Sequence, residues 1–324
     1  MTVLVTGAAG FIGYHVATAL LARGERVIGV DRVDDYYDPA LKEARLDRLA
    51  KERGFTLVRG DIALPETLTA VVGGHPAIDR IVHLAAQAGV RYSIENPRAY
   101  VHSNVLGHLE VLEAARRLPR LTRLVYASTS SVYGANEKRP FSIGDRVDRP
   151  VSLYAVTKRA DELMSLVYAD VHGLPQIGLR FFTVYGPWGR PDMAYFLFAR
   201  AILDGRPIRL FRGGDLERDF TYVDDAVAGV LGALDRPLDL GTPPHRVYNI
   251  GNSRPEKVVD LVALTEAALG RKAIVEIAPM QPGDVPFTAA DIAESTRDLG
   301  FAPTTPLAEG IPRFVAWFRE RYPS

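Results

Sequence analysis

Six short apolar runs punctuate the first 180 residues: TVLVT (2–6), RVIGVD (26–31), FTLVRGD (55–61), RIVHLAA (80–86), RLVYAS (123–128) and QIGLRFF (176–182). Helix-length amphipathic segments, such as 11–23, 97–118 and 153–172, lie between them. Strands that alternate with helices build βαβ units, whose parallel sheet is covered on both faces. The runs are almost continuously apolar, as strands buried on both faces must be. The pattern therefore predicts an α/β fold with a doubly wound parallel sheet.

Beyond Tyr185 the rhythm breaks at YGPWGRPDM, where turn formers cluster. Helices are expected near 193–204, 223–235, 256–269 and 306–321, and a strand near 207–211. VYNIG (247–251) reads as one more strand of the large sheet. The expected division is a domain of residues 1–185 with the strand near 246–251, and a smaller, discontinuous lobe mainly within 186–324. That lobe closes over the carboxyl edge of the sheet.

Composition narrows the function classes. The 39 basic and 39 acidic side chains cancel, so no electrostatic argument favours a nucleic-acid or membrane partner. There is no cysteine, which excludes disulfides, thiolate metal sites and a cysteine nucleophile. The seven histidines show no close ligand spacing, and no metal site is expected. No apolar run approaches the ~20 residues that span a bilayer. The chain enters a strand at once, without a secretory pattern, so a cytoplasmic location is expected.

The first strand runs directly into TGAAGFIG and then a helix. Gly7, Gly10 and Gly13 allow a tight turn and close approach of backbone to a pyrophosphate, with the positive end of a helix behind. The spacing is G-x-x-G-x-x-G, which alone is also compatible with a plain turn. The second strand ends in Asp31, where an acid holds an adenosine ribose and repels a 2′-phosphate; NAD is favoured over NADP, with Arg32 beside it as the opposing consideration. The third and fourth runs end at Asp61 and Gln87, again at the carboxyl edge.

Tyr154 and Lys158, in SLYAVTKRADEL, are four apart in a helical segment and share a face. An ordinary amphipathic helix with Lys158 in solvent gives the same spacing. A free tyrosine has a pKa of about 10, and an ammonium one turn away favours its phenolate. A strand-end hydroxyl, Tyr and Lys together suit the oxidation of a carbinol with transfer to a nicotinamide.

In this order, TGAAGFIG, HLAAQAGV, YASTSSVYG, SLYAVTK, LRFFTVYGPWGRPDMA and RDFTYVDD resemble the extended short-chain dehydrogenase/reductase superfamily. Within its NAD-dependent epimerase/dehydratase family, DDYYDPALKEARL and YGPWGRPDMA are most similar to the UDP-glucuronate 4-epimerase branch. The resemblance implies a Rossmann-like sheet with a smaller C-terminal substrate-binding lobe, NAD as cofactor, a UDP-hexuronate as substrate and a homodimer paired through helices near 97–118 and 153–172. It implies Thr129, Tyr154 and Lys158 as catalytic residues. It places Gly7, Gly10, Phe11, Ile12 and Gly13 at the pyrophosphate, Asp31 and Lys42 at the adenosine ribose, and Asp61 and Ile62 at the adenine. Leu84, Ala85, Ala86 and Gln87 would line the dinucleotide. Arg190 and Arg218 would meet the UDP diphosphate and Asp284 a ribose. Gln281 stands where UDP-galactose epimerases often carry arginine.

Four hydroxyls in succession, Ser128 to Ser131, follow the fifth strand with no acid among them. Relatives that dehydrate a nucleotide sugar carry an Asp-Glu pair here, and those that decarboxylate UDP-glucuronate usually a glutamate. A carboxylate would repel that of a uronate in a poorly solvated pocket, whereas hydroxyls donate to it. Thr129, Ser130, Ser131 and Thr183, with Arg91 nearby, are the expected cradle; Ser128 is expected to satisfy strand-end backbone. The implied reaction is NAD-dependent 4-epimerisation of UDP-glucuronate to UDP-galacturonate through a 4-keto sugar. The alternatives are a UDP-glucose/UDP-galactose-type epimerase, a UDP-glucuronate decarboxylase, or a non-catalytic NAD-sensing scaffold.

Overall fold

A computed structural model describes residues 1–237, 239–280 and 283–323. Twelve strands are present among them: β1 (Thr2–Thr6), β2 (Arg26–Asp31), β3 (Phe55–Arg59), β4 (Arg80–His83), β5 (Arg123–Thr129), β6 (Gln176–Phe181), β7 (Thr183–Tyr185), β8 (Pro207–Phe211), β9 (Glu217–Tyr222), β10 (His245–Ile250), β11 (Pro255–Lys257) and β12 (Ile274–Ala278). Seven form one sheet in the order β10-β6-β5-β4-β1-β2-β3, every pair parallel.

Alternation along β1 shows why the sequence runs are uniformly apolar. Successive side chains point to opposite faces. Val3 and Val5 enter one core with Val16 and Leu20 of the helix Phe11–Ala22, whereas Leu4 enters another with Val111 and Leu112 of the helix Gly107–Ala115. Neither face meets water. β3, the outer strand, is more open.

Two smaller sheets, β11-β9-β7 and β12-β8, lie outside the large one. Of these five strands, the sequence patterning foresaw β8. The segment expected as one helix over 97–118 is three joined pieces: Pro97–Tyr100, a π-helical turn Val101–Leu106, and Gly107–Ala115. No described helix is long and apolar enough to cross a membrane.

Candidate active site

The connections after β1 run to one side of the sheet and those after β4 to the other, so a crevice opens between their carboxyl ends. A cavity occupies it. Its lining includes Gly7, Gly10, Phe11, Ile12, Gly13, Asp31, Lys42, Asp61, Ile62, Leu84, Ala85, Ala86, Gln87, Thr129, Tyr154, Lys158 and Arg190. Residues from the ends of five strands and from three helices, Phe11–Ala22, Pro39–Leu49 and Leu153–His172, thus meet in one place.

At one end, Gly7 has φ +74° and donates from its N–H to the Val30 carbonyl (2.8 Å), while Gly10 N–H donates to the Gly7 carbonyl (2.9 Å). A Cβ on Gly7 would lie 2.7 Å from the Ala85 nitrogen, and one on Gly13 would collide with the Gly7 carbonyl oxygen. The loop is therefore packed to the limit that glycine permits, leaving its outer backbone to face the cavity. Asp31 accepts from Ala9 N–H (2.9 Å) and Val33 N–H (2.8 Å). Burial raises its carboxyl pKa against the pull of these amides.

Arg32 is turned to carboxylates, 3.0 Å from Asp61 and 3.2 Å from Asp34, so its charge is already matched. Lys42 is buried, donating to the carbonyl (2.7 Å) and carboxylate (2.5 Å) of Asp34 and lying over the Tyr37 ring. It orders the loop after β2. Asp61 also holds Ala63 N–H (2.9 Å) and His102 (3.0 Å). The side-chain nitrogen of Gln87 and the hydroxyl of Ser103, both lining the cavity, are buried without a partner among the described residues. Unsatisfied donors around a glycine cradle fit a bound polar dinucleotide.

At the other end, the helix Leu153–His172 starts at Ser152, whose hydroxyl accepts from Ala155 N–H (3.1 Å). Tyr154 stands in the first turn, its ring edge-on to Tyr100 at 6.0 Å. Lys158 is 2% exposed yet lines the cavity; it is not in solvent. Its ammonium donates to Asp161 (2.6 Å). Thr129 closes β5 and its oxygen caps the following turn, accepting from Ser131 N–H (3.2 Å). Ser130 and Ser131 continue in that turn.

Ser128 departs from expectation. Its hydroxyl donates to the carboxylate of Glu162 (2.6 Å), not to strand-end backbone. Glu162 also receives two bonds from Arg180 on β6 (2.8 and 3.0 Å) and one from Arg159 (2.8 Å). A buried acid that collects three partners overrides a local backbone bond.

Ser130, Ser131 and the remaining candidates stand outside the lining of this cavity, except Arg190. Arg190 forms a two-pronged pair with Asp192, which also accepts from the Tyr36 hydroxyl (3.1 Å). Thr183 begins β7, just beyond the end of β6. Arg91 reaches across to Asp284 (3.1 Å) and covers the Phe211 ring. Burial lowers the pKa of the Arg218 guanidinium, and the nearby charges of Asp284 and Arg91 act on it in opposite senses. Gln281 lies outside the described residues.

Sequence reasoning did not find Asn104, Asp161 or Glu162. Asn104 sits in the π-helical turn, where it accepts from Gln87 N–H (2.8 Å) and donates to the Gln87 carbonyl (3.1 Å) and the Thr157 hydroxyl (2.9 Å). It clamps the end of β4 to the Tyr154 helix. The signal available was a polar residue on an otherwise apolar helical face.

A profile of the NAD dependent epimerase/dehydratase family matches residues 3–251. UDP-glucuronate 4-epimerase 1 of Arabidopsis thaliana is 48% identical, over 99% of this chain and 77% of its own. The crystal structure of UDP-glucuronic acid 4-epimerase from Bacillus cereus, in complex with UDP-glucuronic acid and NAD, superposes with a TM-score of 0.93 at 33% identity, covering 99% of this chain and 100% of that one. UDP-glucose 4-epimerase of Thermotoga maritima gives 0.89 at 29%, covering 99% of each. The match across three quarters of the length, on the glycine cradle and the Tyr154 helix just described, means that this chain belongs to the NAD dependent epimerase/dehydratase family.

Proposed function

We propose that this protein is an NAD-dependent isomerase that interconverts UDP-glucuronate and UDP-galacturonate by inverting C4 of the sugar. The observation that carries this reading is the uncharged run Thr129–Ser131 at the end of β5, with no acid in it: Thr129 lines the cavity together with Tyr154 and Lys158, and Ser130 and Ser131 follow in the next turn. The similarity to the Arabidopsis and Bacillus cereus enzymes supports it.

Gly7 to Gly13 would hold the pyrophosphate, Asp31 the adenosine ribose, Asp61 and Ile62 the adenine, and Leu84 to Gln87 the remaining length. Pairing of Arg32 with Asp34 and Asp61 already occupies the guanidinium that could have met a 2′-phosphate there, which supports NAD. Bound NAD supplies a reversible two-electron acceptor at C4. Tyr154 takes the C4 hydroxyl proton and later returns it. Thr129 shares the hydrogen bond to that oxygen, and Lys158, one turn along the same helix, would bring its side-chain amine to the phenol and the cofactor ribose. The 4-keto sugar turns within the pocket before reduction from its other face. Since that intermediate is a β-keto acid, carbon dioxide leaves if the carboxylate bond aligns with the ketone. Donors from Thr129, Ser130, Ser131 and Thr183, with Arg91 nearby, would hold it out of alignment. Arg190 and Arg218 would serve the diphosphate and Asp284 a ribose.

The same proposal assigns residues 1–185 and the strand near 246–251 mainly to dinucleotide binding and 186–324 mainly to the UDP-sugar. It includes a cytosolic location and a homodimer. A stripe of exposed Val156, Leu163, Val167 and Val171 along the Tyr154 helix, beside exposed Val101 and Leu106, supports the dimer.

Incubating the purified protein with UDP-glucuronate and, separately, with UDP-glucose, without added cofactor, tests the function. A new UDP-hexuronate without carbon dioxide is expected. UDP-pentose would mean decarboxylation, turnover of UDP-glucose alone a neutral-sugar epimerase, and no turnover a scaffold.

A further inference from the structure

We propose that Asp161 is the positioning residue for Lys158, holding the ammonium from behind so that its remaining N–H donors face the cavity. The inference rests on the role given to Lys158 above. Tyr154, Lys158 and Asp161 follow one another at spacings of four and three, up a single face of one helix. Lys158 lines the cavity; Asp161 does not. Their side chains are 2% and 0% exposed and 2.6 Å apart, and this is the one hydrogen bond Lys158 makes among the described residues.

The other buried acids show what a purely structural carboxylate looks like here. Asp219 is saturated by the N–H groups of Asn252, Ser253 and Ala290. Glu162 is saturated by Ser128, Arg159 and Arg180. Asp161 instead leaves Oδ1 without a partner and spends Oδ2 on Lys158. Its carboxylate ties no loop and caps no helix. A buried ammonium needs a counter-charge, and a charge-assisted bond also restricts its direction.

Burial pushes the Asp161 carboxyl up to about 6, against the pull of Lys158 and with Glu162 adding to the rise. The surrounding groups stay in one state near that pH. On the same helix Glu162, whose burial is outweighed by Arg180, remains ionised, as does Arg180 on β6. His83 on β4 is pushed down to about 3 and His245 on β10 to about 4, and His108 on the helix Gly107–Ala115 is also lowered, all by burial, so these are neutral. Tyr126 on β5 is raised by burial and keeps its proton. Above about 6 the Lys158–Asp161 pair is ionic, and below it the carboxyl takes a proton and the anchor weakens.

Full-length Asp161→Asn and Asp161→Ala, with the unaltered protein and Lys158→Ala as references, are compared for bound dinucleotide, melting temperature, and kcat and KM for UDP-glucuronate from about pH 5 to about pH 9. The isosteric Asn variant keeps an acceptor for the ammonium but not its counter-charge, so it is expected to melt several degrees lower while staying folded at the assay temperature. Its kcat should fall about tenfold at unchanged KM, below the full worth of a general base. The acid limb of its profile should move by about one unit toward lower pH, because nothing at position 161 titrates. Asp161→Ala should lose more kcat and retain less dinucleotide. Unchanged kcat and an unmoved acid limb in Asp161→Asn overturn the proposal, as does a loss in Asp161→Ala that follows melting temperature alone. If the unaltered protein is inert toward UDP-glucuronate, the substrate reading fails separately. Dinucleotide content then decides for Asp161: retention by Asp161→Ala at the unaltered level overturns the anchor, and loss supports it.

Discussion

Removing the Glu162 carboxylate should cost the protein several degrees of thermal stability. The side chains of Glu162 and Arg180 are 1% and 4% exposed and joined by two bonds of 2.8 and 3.0 Å. Glu162→Ala leaves the guanidinium buried beside the Tyr133 ring with its counter-charge gone. Breaking one side of such a pair destabilises by about 3–5 kcal/mol, mostly through the stranded charge. An unfolding entropy of about 2.1 cal/mol/K per residue, over 324 residues, gives about 0.7 kcal/mol/K, so each kcal/mol moves Tm by about 1.5 °C. The expected fall is about 4–7 °C by differential scanning calorimetry at neutral pH. Converting both partners, as Glu162→Leu with Arg180→Met, should recover part of it, because no buried charge is left unpaired; Arg159, which also bonds Glu162, is partly exposed and can turn to water. The pH dependence has a definite sign. Burial would raise the Glu162 pKa, but Arg180 and the other donors outweigh it and hold it below the usual value. A depressed folded pKa contributes stability that is fully present above the unfolded value, about 4.3, and is lost as pH falls through the folded one. The gap between the two proteins should therefore be constant above about pH 5 and shrink below about pH 4. A change of Tm under about 1 °C, or a double variant less stable than the single, would refute the stranded-charge account.

Gly13→Ala should purify without dinucleotide, since its Cβ would occupy the place of the Gly7 carbonyl oxygen; absorbance of the denatured supernatant checks this. Ser130→Ala with Ser131→Ala should lower epimerisation about 30-fold or release carbon dioxide from UDP-glucuronate, if each lost donor is worth about 1 kcal/mol; unchanged products would count against the neutral cradle. Val167→Glu with Val171→Glu, in the exposed stripe, should yield a monomer by analytical ultracentrifugation, with melting little altered because neither side chain enters the core.

Legibility in the sequence followed the range of the forces involved. The alternation of strand and helix, the glycine turn and the one-face placement of Tyr154 and Lys158 depend on φ/ψ sterics and periodicity within a few residues. They could be read from TVLVTGAAGFIG and SLYAVTK. The boundaries of β1, β2 and the helix Leu153–His172 match the expected 2–6, 26–31 and 153–172. β11 (Pro255–Lys257), by contrast, carries no apolar alternation and β9 alternates only over its last four residues; they are stabilised by pairing, β9 with both β7 and β11, so local pattern alone did not mark them.

The partners of buried charges lay further beyond reach. Ser128 had a backbone group within one turn, yet its proton goes to Glu162, 34 positions away. Arg190 had the expected diphosphate in prospect, and it is held by Asp192, which the Tyr36 hydroxyl holds in turn. Asn104 looked like a residue of one uninterrupted helix, and the π-helical turn aims it at Gln87. By itself the sequence determined the sheet, the cradle and the hydroxyl, phenol and ammonium that converge on it, because local sterics and hydrophobic alternation need no partner. Only the tertiary structure decided which acid stands behind Lys158 and which hydroxyls remain for a ligand. A desolvated charge must take whatever counter-charge the packing of distant segments brings within about 3 Å.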